Sequence, residues 1–125
     1  MRGAGGGEEQ VLSEGVRVAI LEVGRSFPEG RSAVLPALHL AQEDWGGWLP
    51  TAAIDEVAAL LGLSPTYVGA VASFYTLFNR RPVGRHRIYV CTNVSCSLLG
   101  AGHILEVLAS ELGIGPGETT PDGLF

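Results

Sequence analysis

The sequence of 125 residues contains no lysine, and all eight of its basic residues are arginine. With a formal net charge of −5 and no Lys/Arg stripe, it lacks the phosphate neutralisation that nucleic-acid binding requires. No apolar run approaches the roughly 18 residues of a membrane span, and the N-terminus lacks the charged start and apolar stretch of a signal peptide. Direct membrane insertion is therefore not expected, and the chain reads as cytoplasmic. There is no GxGxxG between a strand and a helix, no Walker loop, no GxSxG and no HExxH. Ser73 and Ser95 have no base paired with them, so no autonomous catalytic site is expected. Cysteine is scarce too: Cys91 and Cys96 are the only two. In a reducing compartment, a lone close pair is more often free, metal-bound or redox-active than a structural disulfide.

A hydrophobic content of 46% suffices for one modest core, so the length argues for one compact unit. The glycine-rich start, with Gly3, Gly5, Gly6 and Gly7 before Glu8 and Glu9, has no apolar periodicity to offset its ordering entropy. A disordered tail is expected over residues 1–15. A helical region should follow over 16–72. Between Val11 and Ser26 the apolar positions Val11, Leu12, Val16, Ala19, Ile20 and Val23 suggest a first helix that is interrupted or frayed near Gly15. A second should run from Ser32 toward Trp45, and a third from Ala52 to Leu61 with Thr51 as its cap and Gly62 as its stop. Ser64 before Pro65 predicts a fourth, reaching about Ala72, from an N-cap and a proline at the first helical position.

From residue 73 the character changes. Phe74 to Phe78 and Arg87 to Val90 are rich in strand formers and are separated by the turn Pro82-Val83-Gly84. Ile104, Leu105, Val107, Leu108 and Leu112 then describe a further amphipathic helix closed by Gly113. Cys91 falls at the end of the second β-rich run, and Cys96 is expected in the same loop, ahead of the helix. Such a loop can turn N–H groups toward anionic sulfurs. The spacing CxxxxC suits the first half of some [2Fe-2S] sites and does not exclude zinc, whereas plain packing is the bland alternative. His39, His86 and His103 read as surface or capping residues; His103, the nearest to Cys96, leaves a partial Cys2His zinc site open.

The stretch Val71-Ala72-Ser73-Phe74-Tyr75-Thr76-Leu77-Phe78-Asn79, followed by Pro82-Val83-Gly84 and by Ile88 to Cys96, resembles the 24-kilodalton subunit family of respiratory NADH dehydrogenases. Gln42 to Leu49 and Gly117-Glu118-Thr119-Thr120-Pro121-Asp122-Gly123-Leu124-Phe125 are similar to further segments of that family, so the likeness covers about Pro28 to Phe125. It implies an α+β, α/β architecture: an N-terminal helical bundle, then a partial thioredoxin-like ferredoxin domain over 73–125. Cys91 and Cys96 would match the first two ligands of one [2Fe-2S] cluster. The implied role is one-electron exchange with the flavin of a partner subunit that binds NADH, in a complex peripheral to the inner membrane. The resemblance also implies that the third and fourth ligands follow as a CxxxC pair beyond the segment ending here at Phe125, so the domain is expected to be C-terminally truncated and incomplete.

Three readings stay open at this point. The chain is an electron-transfer subunit or a fragment of one, a cluster-free module that docks to the flavin subunit, or a two-cysteine redox or zinc site shared across a symmetric dimer. The equivalent subunit of an NAD-linked formate dehydrogenase or hydrogenase fits the same motifs.

Overall fold

A computed structural model describes residues 11–125. Contacts divide the chain into two units, Met1–Pro82 and Val83–Phe125, where its length suggested one. The buried apolar cluster explains the division, because its members run from Leu12 to Phe78 and none comes from the second unit.

In the first unit, α1 (Glu14–Ser26) is followed by a single 3₁₀ turn (Gly30–Ala33), α2 (Val34–Asp44), α3 (Thr51–Leu61) and α4 (Pro65–Phe74). Of the apolar positions that the sequence pattern turns inward, Val34, Leu38 and Ala41 on α2 and Ile54, Val57 and Ala58 on α3 are buried, whereas Leu35 is exposed and Leu61 only half-buried; Ala37 and Ala53 complete the buried faces. Each fully buried Leu, Ile or Val in such a stripe is worth about 1.5–3 kcal/mol.

Residues 1–10 of the expected disordered tail lie outside the described residues. The expectation is corrected for the remainder. Leu12 is buried in the core, Glu14 opens α1, and the helix passes through Gly15 without a break. Two carboxylates from later helices hold this entry. Glu56 Oε2 accepts the backbone N–H groups of Val11 and Leu12 at 3.0 and 2.9 Å, and its Oε1 pairs with the Arg17 guanidinium. Asp44 accepts the Ser13 hydroxyl at 2.7 Å and the Ser13 N–H at 2.8 Å. The backbone N–H groups of the three residues that lead into α1 are thus tied to α2 and α3.

Smaller corrections concern caps. Pro50, not Thr51, occupies the cap position of α3, and Thr51 is already helical. The 3₁₀ turn replaces the expected first turn of the second helix. Ser64 caps α4 as its pattern predicts, its hydroxyl accepting the Tyr67 N–H at 3.2 Å, and Gly62 ends α3 at φ +67°, where a side chain would be strained.

Both expected strands are absent: among the described residues the chain forms no strand. Phe74 is the last residue of α4, the Tyr75 N–H still bonds to Val71 O at 3.3 Å, and Phe78 N–H turns back to Tyr75 O at 3.2 Å. The run from Arg87 to Val90 is irregular. Strand propensity expresses packing against neighbouring strands, and a strand-forming composition does not by itself supply a ladder to join.

The second unit carries a short helix, α5 (Val94–Leu98), and α6 (Ala101–Leu112). Only Gly84, Ala101 and Thr120 are buried in it. The segment from Gly117 to Phe125 folds onto the residues after Val83. Arg85 N–H donates to Gly123 O at 3.0 Å and His86 N–H to Leu124 O at 2.7 Å. Thr120 ties the turn together: its hydroxyl donates to Asp122 Oδ1 at 2.5 Å and accepts Phe125 N–H at 3.0 Å.

Candidate metal centre

Cys91 lies in the irregular segment that follows Arg87 to Val90, whereas Cys96 lies within α5 rather than in a loop ahead of a helix. That placement corrects the sequence expectation, and the reason is local. Asn93 takes the cap position of α5: its Oδ1 accepts the Val94 N–H at 2.7 Å and its backbone carbonyl accepts the Ser97 N–H at 2.8 Å. The Ser97 hydroxyl reaches back to Thr92 O at 3.0 Å. Asn before a short helical turn is a readable N-cap signal. Thr92, Asn93 and Ser97 therefore set the geometry of the cysteine segment, where the sequence suggested plain loop from Thr92 to Ser95.

The two thiols lie near enough for each to influence the other's ionisation. Both are free; Cys91 is exposed and Cys96 half-buried. The backbone N–H of Asn93, and next the Cys96 thiol, favour the Cys91 thiolate and hold the Cys91 pKa below its usual value. Cys96 is shifted the other way, because its proton is engaged by Cys91. The pair therefore presents one thiol disposed to ionise beside one that donates to it, at the protein surface.

Among the described residues no three His, Cys, Asp or Glu side chains cluster as a metal site. His103 stands on α6 with its Nδ1 4.0 Å from Glu106 of the same helix. His39 packs its ring against Phe78 at 5.0 Å, and His86 against Phe125 at 5.7 Å. The partial Cys2His arrangement left open by the sequence is not formed.

The motifs flanking the cysteines in sequence hold the backbone in place. Gln42 and Asn79 bind each other's segments in the first unit. The Gly117 to Phe125 segment holds the backbone of Arg85 and His86, a few residues ahead of Cys91.

The family model described as thioredoxin-like [2Fe-2S] ferredoxin matches residues 20–125. An NADH-quinone oxidoreductase subunit of Rhizobium meliloti (strain 1021) is 48% identical over 99 residues, which are 79% of this chain and 58% of that protein. NADH-quinone oxidoreductase subunit 2 of Thermus thermophilus is 46% identical over 99 residues, 78% of this chain and 54% of that protein. The mitochondrial NADH dehydrogenase (ubiquinone) flavoprotein 2 of Dictyostelium discoideum is 47% identical over 95 residues, 76% of this chain and 38% of that protein. The chain thus spans about half the length of the curated relatives it matches.

A cluster of this kind is held by four ligands, thiolates in the common case. The described residues fit half of that requirement: two free thiols, one exposed and one half-buried, in a segment whose backbone favours the Cys91 thiolate. They do not by themselves complete it.

Proposed function

Because this chain belongs to the thioredoxin-like [2Fe-2S] ferredoxin family, we propose that it is the electron-transfer subunit, or part of the subunit, of a respiratory NADH-quinone oxidoreductase. In this reading Cys91 and Cys96 are two of the four cluster ligands, and the other two are not among these 125 residues. The bound cluster supplies one-electron transfer. The subunit works beside a flavin-bearing, NADH-binding partner, at the cytoplasmic side of the inner membrane and peripheral to it. No helix among the described residues is long and apolar enough to cross a membrane. The helical unit of residues 16–72 then forms a bundle that precedes the ferredoxin domain of residues 73–125.

The observation that carries this reading is that the two cysteines, both free and near enough to influence each other's ionisation, lie inside the stretch that the family model matches. Asn93 and Ser97 fix the segment that holds both sulfurs, and the Asn93 N–H is a donor of the sort that stabilises negatively charged sulfur.

The test is a chimera in which residues 20–125 replace the matching stretch of the Rhizobium meliloti protein. Reduced under anaerobic conditions, it should give the paramagnetic signal of a [2Fe-2S] cluster, and Cys91→Ser or Cys96→Ser should each abolish it. A signal that survives both substitutions would remove these cysteines from the ligand set. The exposed apolar side chains of Val94, Leu98 and Leu99 beside Cys96 favour a second reading, a cluster-free docking module. A chimera that binds the flavin-bearing subunit tightly yet takes up no iron would select it.

A further inference from the structure

The segment that closes the first unit, from Phe74 to Arg81, carries an outward surface of apolar and basic side chains. Phe74 is 78% exposed, and its ring meets that of Tyr75 edge-on at 5.1 Å. Tyr75 and Leu77 are exposed as well, and so are Arg80 and Arg81. Between them the backbone is pinned. Phe78 is buried with its ring 5.0 Å from that of His39, and Asn79 is bonded to Gln42 and to Gly47. The outward side chains therefore stand on a backbone already fixed in one shape, which lowers the ordering cost of binding.

A large aromatic ring left in water beside other apolar groups marks a surface that meets something else, and aromatic and arginine side chains are the common anchors of protein interfaces. Charge identifies the kind of partner. Among the described residues, Arg80 and Arg81 enter no ion pair. No Asp or Glu occurs in the sequence between Glu56 and Glu106, and Asp44 and Glu56 are engaged with the residues at the start of α1. Two neighbouring guanidiniums thus lack a carboxylate within the described residues, on a chain whose net charge is −5. Their complement is a pair of carboxylates, to which arginine presents two parallel N–H donors. Anionic lipid offers negative charge too, but it makes no use of a backbone held in one shape, so a protein surface fits better.

We propose that Phe74, Tyr75, Leu77, Arg80 and Arg81 form the docking surface for the flavin-bearing subunit, which meets them with an apolar pocket flanked by carboxylates. The proposal rests on the preceding reading for the identity of that partner and makes no use of the cysteines.

The experiment mixes the chimera described above with the flavin-bearing subunit of the same bacterium and measures affinity at low and at raised salt. Phe74→Ser should weaken binding tenfold or more. Arg80→Glu combined with Arg81→Glu should do the same and should flatten the salt dependence of the parent, since salt screens exposed charge pairs. Arg25→Glu, a charge reversal at an exposed position in the last turn of α1, should bind like the parent. Circular dichroism should show parent helices in every variant. Parent-like binding by Phe74→Ser or by the double arginine variant overturns the docking surface and leaves the electron-transfer reading standing. An equal loss in Arg25→Glu overturns it too, by showing that overall charge sets the affinity. A Phe74→Ser chimera that loses its helices overturns it by placing the ring inside the completed subunit. Parent chimera that binds phosphatidylglycerol vesicles, with both variants failing to, assigns the surface to lipid and overturns it. A parent chimera that carries its cluster but does not bind the flavin-bearing subunit rejects the partner named in the preceding reading and this surface together.

Discussion

The side-chain amide of Gln42, near the end of α2, closes on the backbone of the segment after α4. Its Oε1 accepts the Asn79 N–H at 2.7 Å and its Nε2 donates to Leu77 O at 3.2 Å. Asn79 returns the contact: its Nδ2 donates to Gly47 O at 2.7 Å and its carbonyl accepts the Leu49 N–H at 2.7 Å. Two of the sequence motifs that suggested a family are therefore two halves of one clamp.

Replacing Gln42 with alanine should destabilise the first unit by about 2 kcal/mol, because it strands the Asn79 N–H and the Leu77 carbonyl at once. Gln42 is only 8% exposed, so solvent does not readily replace the lost bonds. Urea denaturation followed by circular dichroism checks this; a midpoint equal to that of the parent would mean that the clamp carries no net stability.

The clamp also shows what was legible in the sequence. Helices were readable wherever an apolar stripe coincided with a local stop or start, as in α3 with Gly62 and α4 with Ser64-Pro65. The strands were not, because Phe74 to Phe78 has a strand-forming composition but is held by α4 and by Gln42. Local composition cannot see a contact 35 residues away. The cysteine pair was readable as a pair, and the resemblance gave it a chemistry. The Asn93 cap and the Ser97 bond to Thr92, which fix the segment carrying both thiols, belong to a helix of only five residues, too short to show a periodicity.

Gly84 should tolerate no side chain. A Cβ there would stand 2.5 Å from the carbonyl carbon of Phe125 and 2.7 Å from its oxygen, backbone atoms that cannot swing aside. Gly84→Ala is expected to separate the two segments and open the bonds from Arg85 to Gly123 and from His86 to Leu124. Hydrogen exchange at the Arg85 and His86 amides should accelerate about tenfold or more, as expected when a local opening loses roughly 1.4 kcal/mol of protection. The amides of α2 and α3 should keep their parent rates. Unchanged protection at Arg85 and His86 would show that the approach relaxes without cost.

The turn at Thr120 should loosen in acid. The Thr120 hydroxyl and, next, the Leu124 N–H hold the Asp122 carboxyl below the usual carboxylate range. A depressed folded-state pKa means that the ionised form is the one the fold favours. Its contribution is complete above the ordinary aspartate value and is lost as the pH falls through the lower, folded one. Asp122→Asn keeps an acceptor oxygen at this position but removes the titration. The Leu124 amide resonance should therefore move with pH in the parent across the acid range and stay flat in the variant. A parent resonance that shifts only around the ordinary aspartate pKa would contradict the assignment.

The two thiols should differ in reactivity, and their contact supplies a sharp control. The thiolate is the attacking species in alkylation, so the thiol whose ionised form is favoured reacts first near neutral pH. Asn93 N–H and the Cys96 thiol both favour ionised Cys91, whereas Cys96 keeps its proton by donating it. Exposure acts in the same direction, since Cys91 is open to solvent and Cys96 only partly so. Brief treatment of the reduced, metal-free chain with iodoacetamide should label Cys91 several-fold faster than Cys96, read by peptide mass mapping. If exposure alone set the order, Cys96→Ala would leave the Cys91 rate unchanged. If the thiol contact contributes, removing the Cys96 donor raises the Cys91 pKa, lowers its thiolate fraction and slows its alkylation near neutral pH. The two rates then converge once the pH is high enough to ionise Cys91 in both proteins. That pH-dependent convergence separates an electrostatic effect from a change in access, which would alter labelling by the same factor at every pH.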